Sequence, residues 1–230
     1  MTRCIAMEYW SLLYLPCLFW GAYHYYKDRH KPEPVLMLVL ALVLGYCSAY
    51  IGLYLYEALD YVHLRFDAYE LAESSSLHLF LYAVLVIGPI EELAKFIPFL
   101  LIIVRLPHFD EPIDGIIYSS FIALGFSLHE NSYYLTYLEG WEAIARSLTA
   151  PMVHVMFASI WGYAYGYSDS HGGNRFAVTT CFLLISMFLH GVFDFFSIGL
   201  SLWTNIAPPL LILGIWMWRL RILHRVESEA

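Results

Sequence analysis

The chain has 230 residues, 60% of them hydrophobic and only 14% charged, with a mean hydropathy of +0.60. A water-soluble domain of this length needs far more polar surface to cover its core, so a soluble globular fold is excluded. The net charge of −8 names no partner, because in such a chain the placement of Lys and Arg carries the information; no basic surface for nucleic acid is present.

Taken in chain order, apolar runs near 20 residues match a hydrocarbon core about 30 Å thick at about 1.5 Å per helical residue. The predicted spans are 6–26, 35–56, 77–104, 115–138, 148–167, 176–199 and 202–218. The fold class is therefore all-α, a polytopic transmembrane helical bundle of about seven spans, within a range of six to eight. The first run follows Arg3 but is interrupted by Glu8 and lacks a small-residue cleavage site, so it reads as a retained span. The acidic stretch 57–76, "EALDYVHLRFDAYELAESSS", falls outside the membrane and reads as partly amphipathic helix. Polar links at 27–34, 105–114, 138–146 and 168–175 separate the other spans. No repeat or linker divides residues 1–230, which read as one integral-membrane domain. Cys4, Cys17, Cys47 and Cys181 lie far apart in apolar surroundings, as small buried hydrophobes do.

Charge placement orients the bundle. Lys27, Arg29, Lys31, Arg105, Arg175, Arg219, Arg221 and Arg225 fall on one side, against Arg3, Arg65 and Arg146 on the other. The positive-inside rule then puts the N-terminus outside, the C-terminus in the cytoplasm, and residues 57–76 outside.

Four acids, Glu91, Glu92, Glu130 and Asp194, and two histidines, His154 and His190, sit inside predicted spans with Lys95 beside the first pair. Each charge at bilayer depth costs about 2.5–3.5 kcal/mol, so six on four successive spans mark a functional cavity instead of isolated paired residues. Lys95 stands four residues after Glu91 and three after Glu92, within reach of either. Neighbouring helical residues project about 100° apart, so one glutamate can face the cavity while Lys95 or another helix holds its neighbour. Gly88, Pro89 and Pro98 bracket the pair and predict a kink. His190 and Asp194 share a face at i, i+4, so the acid can orient the imidazole. His154, nearer the outer end of its span, can cap the cavity.

The letters exclude several chemistries. "HENSY" lacks the second His of the zinc motif H-E-x-x-H, with Tyr133 in its place, and no pair of intramembrane aspartates exists. A glutamate-and-histidine site remains. Crowded glutamates can supply base and acid for water attack on a carbonyl, and histidine can stabilise the oxyanion. Alternatively, Glu92, Glu130, His154 and His190 are the candidate ligands for a divalent metal such as zinc. No cofactor is fixed by the letters, and both routes end in hydrolysis. A proton-coupled transporter using the same cluster as a relay is the alternative outside enzymology.

At this point "EELAK" (91–95), "FSLHE" (126–130) and "HGVFD" (190–194) resemble the E-E-x-x-K, F-x-x-x-E and H-x-x-x-D motifs of the PrsW family of intramembrane proteases, related to the CAAX-prenyl endopeptidase and bacteriocin-processing group. The resemblance covers about residues 80–200 in the expected order. It implies a bacterial plasma-membrane peptidase acting on a membrane-anchored protein or peptide, such as a site-1 protease cutting an anti-sigma factor. It also implies Glu91 and Glu92 as water-activating acids, His190 as an essential partner, and Glu130, His154 and Asp194 completing the site, with Lys95 and Asn131 in support.

Overall fold

The computed structural model describes the backbone of residues 2–170, 174–199 and 206–229. Within them the chain is helical, with no strand. The long elements are α1 (Thr2–Lys27), α2 (Val35–Tyr61), α5 (Gly88–Leu101), α6 (Asp114–Tyr134), α7 (Gly140–Ser170), α8 (Arg175–Ile198) and α9 (Ala207–Glu229). Two short helices, α3 (Ala68–Ser74) and α4 (Ser76–Tyr82), precede α5, and a π-helical turn over Ala83–Ile87 joins α4 to α5.

Three of the described helices, Val35–Tyr61, Gly140–Asp169 and Arg175–Ile198, are long and apolar enough to cross a membrane. The lipid-like exterior is visible elsewhere too: Leu18, Phe19, Leu36, Leu85 and Leu184 each stand more than half exposed. Helix α6 is the hub, buried without interruption from Asp114 to Ser127. It packs against α1, α2, α5 and α7, while α8 lies against α5 and α7, and α9 against α7 and α8. Ile116, Ile117, Tyr118, Phe157, Trp161 and Phe99 are among its fully buried core.

Helix contacts are closest where glycine removes the side chain. A Cβ on Gly45 would stand 1.9 Å from the Ile122 carbonyl oxygen, and one on Gly125 would stand 1.9 Å from that of Leu42, so α2 and α6 touch backbone to backbone. Gly88 and Gly191 do the same for α5 and α8, where a Cβ would meet the Met187 and Ala83 carbonyl oxygens at 2.3 and 2.4 Å.

Several boundaries depart from the sequence reading. The expected kink at Pro89 is a π turn: proline crowds the carbonyl four residues earlier and donates no N–H, and the wider turn absorbs both defects just upstream. The polar link expected over 138–146 is shorter, because Gly140 takes a positive φ of 56° and starts α7 there. Helix α2 runs on to Tyr61, so the acidic stretch 57–76 starts in its last turn and then forms α3, which is capped by Asp67 and has no buried residue. Arg219, expected beyond the last span, is 1% exposed within α9, with Ser120 3.4 Å from its guanidinium. Cys17, Cys47 and Cys181 are free thiols. The side chains of residues 1–8, Cys4 among them, lie outside the described set.

Candidate active site

The start of α5 supplies two glutamates, and the helix screw gives them different surroundings. Glu92 is wholly buried and receives four donors. Its Oε1 accepts from Lys95 Nζ at 2.6 Å and from His190 Nδ1 at 2.7 Å; its Oε2 accepts from Trp161 Nε1 at 2.8 Å and Ser186 Oγ at 3.2 Å. A carboxylate so saturated keeps its charge paired and has no lone pair to spare for substrate. Glu91, one residue earlier, lines a cavity of about 210 Å³ with Glu130, Arg146, His154, His190 and Asp194. Its Oε2 is buried without a hydrogen-bond partner, 3.5 Å from His190 Nε2 and 3.8 Å from His154 Nδ1.

Each histidine is held from behind by a carboxylate. Glu92 accepts the Nδ1–H of His190 as a hydrogen bond, which leaves the Nε2 lone pair facing Glu91. Glu130 takes the Nε2 proton of His154 at 2.7 Å, which leaves Nδ1 on the Glu91 side, where Lys95 Nζ also donates to it at 3.2 Å. Glu130 is itself clamped by Arg146 at 3.0 Å, and that guanidinium lies 3.5 Å from the Tyr134 ring centre. The two imidazoles meet edge to face with centroids 5.4 Å apart, and Phe157 stacks on His190 at 4.6 Å.

Metal-binding histidines are commonly held in this way, by an outer carboxylate that fixes the tautomer and the ring orientation. Glu91, His154 and His190 bring their ligand atoms within 4.8 Å of one another. The orphaned Glu91 oxygen and the Nε2 lone pair of His190 fit a divalent cation, with His154 Nδ1 as a third ligand once it gives up the hydrogen bond from Lys95. Glu91, Glu92, Glu130 and Asp194 also outnumber the positive charges of Lys95 and Arg146 nearby. The group placed to hold a metal shares His154 and His190 with the candidates named from sequence and differs in its carboxylate. Glu91 stands where Glu92 and Glu130 were named, because those two spend their oxygens on Lys95, Trp161, Arg146 and the outer nitrogens of the histidines.

Other expectations are corrected similarly. Asp194 Oδ2 lies 3.8 Å from His190 Nε2, too far for a hydrogen bond, so Glu92 orients the imidazole and Asp194 stays a free cavity carboxylate with Oδ2 unpartnered. His154 is no cap: at 4% exposure it forms part of the cavity wall. Asn131 follows Glu130 in sequence but turns about 100° away; it is 1% exposed and absent from the cavity lining. Arg146, Trp161 and Ser186 belong to the site and were not named from sequence. The signal was helical spacing: Arg146 and Trp161 stand eight before and seven after His154, and Ser186 stands four before His190.

Comparison with known proteins gives the family. Residues 33–219 match the profile of the PrsW family intramembrane metalloprotease. The chain is 29% identical over 217 residues to Protease PrsW of Oceanobacillus iheyensis, covering 94% of each chain. It is 30% identical over 209 residues to Protease PrsW of Geobacillus kaustophilus, covering 91% of this chain and 88% of that one. To Protease PrsW of Bacillus subtilis it is 27% identical over 208 residues, 90% of each. No solved structure matches it. With a family profile spanning most of its length and relatives aligned nearly end to end, the chain belongs to the PrsW family of intramembrane metalloproteases, hydrolases that act on peptide bonds.

Proposed function

We propose that this protein cleaves membrane-anchored polypeptides inside a seven-span bundle, with Glu91, His190, His154 and Asp194 facing the reacting water. The observation that carries this reading is the buried, unpartnered Oε2 of Glu91 set between two imidazole nitrogens. Glu91, His154 and His190 would hold a divalent metal such as zinc, which when bound acidifies water and polarises a carbonyl. Asp194 then takes the proton of the attacking water and returns it to the leaving amine as the C–N bond breaks. Arg146 offers N–H donors in the same cavity to the oxyanion that forms on the carbonyl. Glu92 and Glu130 position the histidines. Of the sequence-level roles, Glu92 thus passes from water activation to support.

With the N-terminus outside, all of these residues fall toward the outer end of the bundle. That placement favours cutting on the extracytoplasmic side of a bacterial plasma membrane, as a site-1 protease would cut a regulator such as an anti-sigma factor. The test is purified protein in nanodiscs with a membrane-anchored peptide, assayed before and after chelation. Expected is cleavage that chelator abolishes and added zinc restores, and that Glu91→Gln and His190→Ala eliminate. Cleavage untouched by chelator removes the metal from the scheme, and cleavage by both variants removes the site.

A further inference from the structure

A second cavity, about 890 Å³, lies on the far side of the α7–α8 pair from Glu91. It is walled by Ala145, Met152, Pro208, Ile212, Leu213 and Trp216, among others, and among the described residues no charged side chain lines it. Four residues, Thr149, Val153, Phe193 and Ser197, line both this cavity and the catalytic one. They come from the first part of α7 and the last part of α8 and form a wall shared by the two cavities, polar on one side and apolar on the other; a doorway would open where these helices meet. Phe193, edge-on to Phe157 at 5.9 Å, sits in that doorway next to Asp194.

From this continuity we infer that the α7–α8–α9 groove is the binding site for the apolar membrane-embedded segment of the substrate, whose adjoining backbone passes between Val153 and Phe193 to reach Glu91. The inference rests on the peptidase reading above and names its substrate class. Charge supports this occupant: a groove without a charged wall gives no purchase to an acidic or basic soluble peptide, while the polar doorway suits a chain that must shed its helical hydrogen bonds before cleavage. Thr149 and Ser197 bring hydroxyls to that doorway, where such backbone groups can find partners. The volume falls in the range of pockets that enclose several large side chains. The competing occupant is a lipid acyl chain.

The experiment uses the full chain in phosphatidylcholine nanodiscs and a biotinylated synthetic peptide with one Leu/Ala-rich span of about 20 residues. Benzoylphenylalanine is placed at position 213, a groove residue 51% exposed, or at position 36, 70% exposed on α2 away from α9. Expected is photolabelling of the peptide at least tenfold stronger from 213, competed by unlabelled spanning peptide and not by a soluble one. Equal labelling from both positions means that lipid fills the groove and overturns the inference. In cleavage assays Leu213→Trp should raise KM at least tenfold and leave kcat within twofold; an unchanged KM overturns it as well. If the wild-type protein cleaves nothing, the peptidase reading fails by itself, and labelling from 213 still decides the groove.

Discussion

At the scale of single residues, adjacent glutamates with different partners should fail in different ways. Glu91→Gln removes a carboxylate that no other side chain hydrogen-bonds, so activity should disappear while the thermal midpoint stays within a few degrees of wild type. Glu92→Gln strips the charge that pairs with Lys95, which is wholly buried. Leaving a buried cation uncompensated costs about 3–5 kcal/mol, so this variant should lose stability as well as activity. Thermal unfolding in detergent beside a cleavage assay separates the two, and equal midpoints for both variants would contradict the division of roles. The letters made the pair conspicuous yet could not tell its members apart, because the 100° between them matters only once α8 and α7 are in place. Asn131 shows the same limit, since adjacency to Glu130 in sequence put it on a different face.

Among the elements, the α5–α8 contact decides whether the site exists. Gly191→Ala would force a Cβ to within 2.4 Å of the Ala83 carbonyl oxygen, and the two helices would have to part. Overpacking of this kind costs about 1–3 kcal/mol, and it should also lengthen the Glu92–His190 bond of 2.7 Å. Expected is a lowered thermal midpoint with at least a tenfold drop in kcat; wild-type activity would show that the contact is not needed. At the opposite end, the link 28–34 is pinned to 105–114 by Lys31, 2.7 Å from Asp110 and 3.4 Å from Glu111. Beneath it Asp28 is 3% exposed and caps the Glu33 amide at 2.7 Å. Burial pushes the Asp28 carboxyl up to about 7, with the charges of Asp114 and Glu111 adding to the rise against the pull of the Glu33 amide and Lys31. Burial raises Glu33 too, against the hydroxyl hydrogen bond from Tyr118. A raised folded-state value means that the native link binds a proton the unfolded chain releases near pH 4. Its stability should therefore fall as pH rises from about 4 through about 7. Hydrogen exchange of the amides of residues 29–31 and 33, corrected for intrinsic rate, should show less protection at pH 8 than at pH 6; the reverse order would contradict it.

For the whole molecule, the sequence carried the helices and their order with fair accuracy, because apolar runs of spanning length leave little freedom. Its errors fell at ends governed by one residue, such as Gly140 with its positive φ, and by tertiary burial, such as Arg219 inside α9. Three helices meet the length and composition needed to cross a membrane, so the seven-span arrangement is itself testable. A membrane-impermeant thiol reagent applied to intact cells should label a cysteine introduced at Tyr61 and not one introduced at Arg29; the opposite pattern would invert the bundle and move the catalytic end to the cytoplasm. Both positions are well exposed, so labelling reports sidedness.

The bond between Glu92 and His190 spans 98 residues of chain. At about 5–20 residues per second, a ribosome needs about 5–20 s to deliver α8 after α5 has emerged. Until α7 brings His154 and Trp161, α5 carries two acids and an amine with no histidine or tryptophan to receive them, and Ser186 and His190 come only with α8. Lys95, three residues from Glu92, is a partner available within the same helical turn from the moment of synthesis. Because it sits on the same helix as Glu92, this pairing needs no other span to be in place.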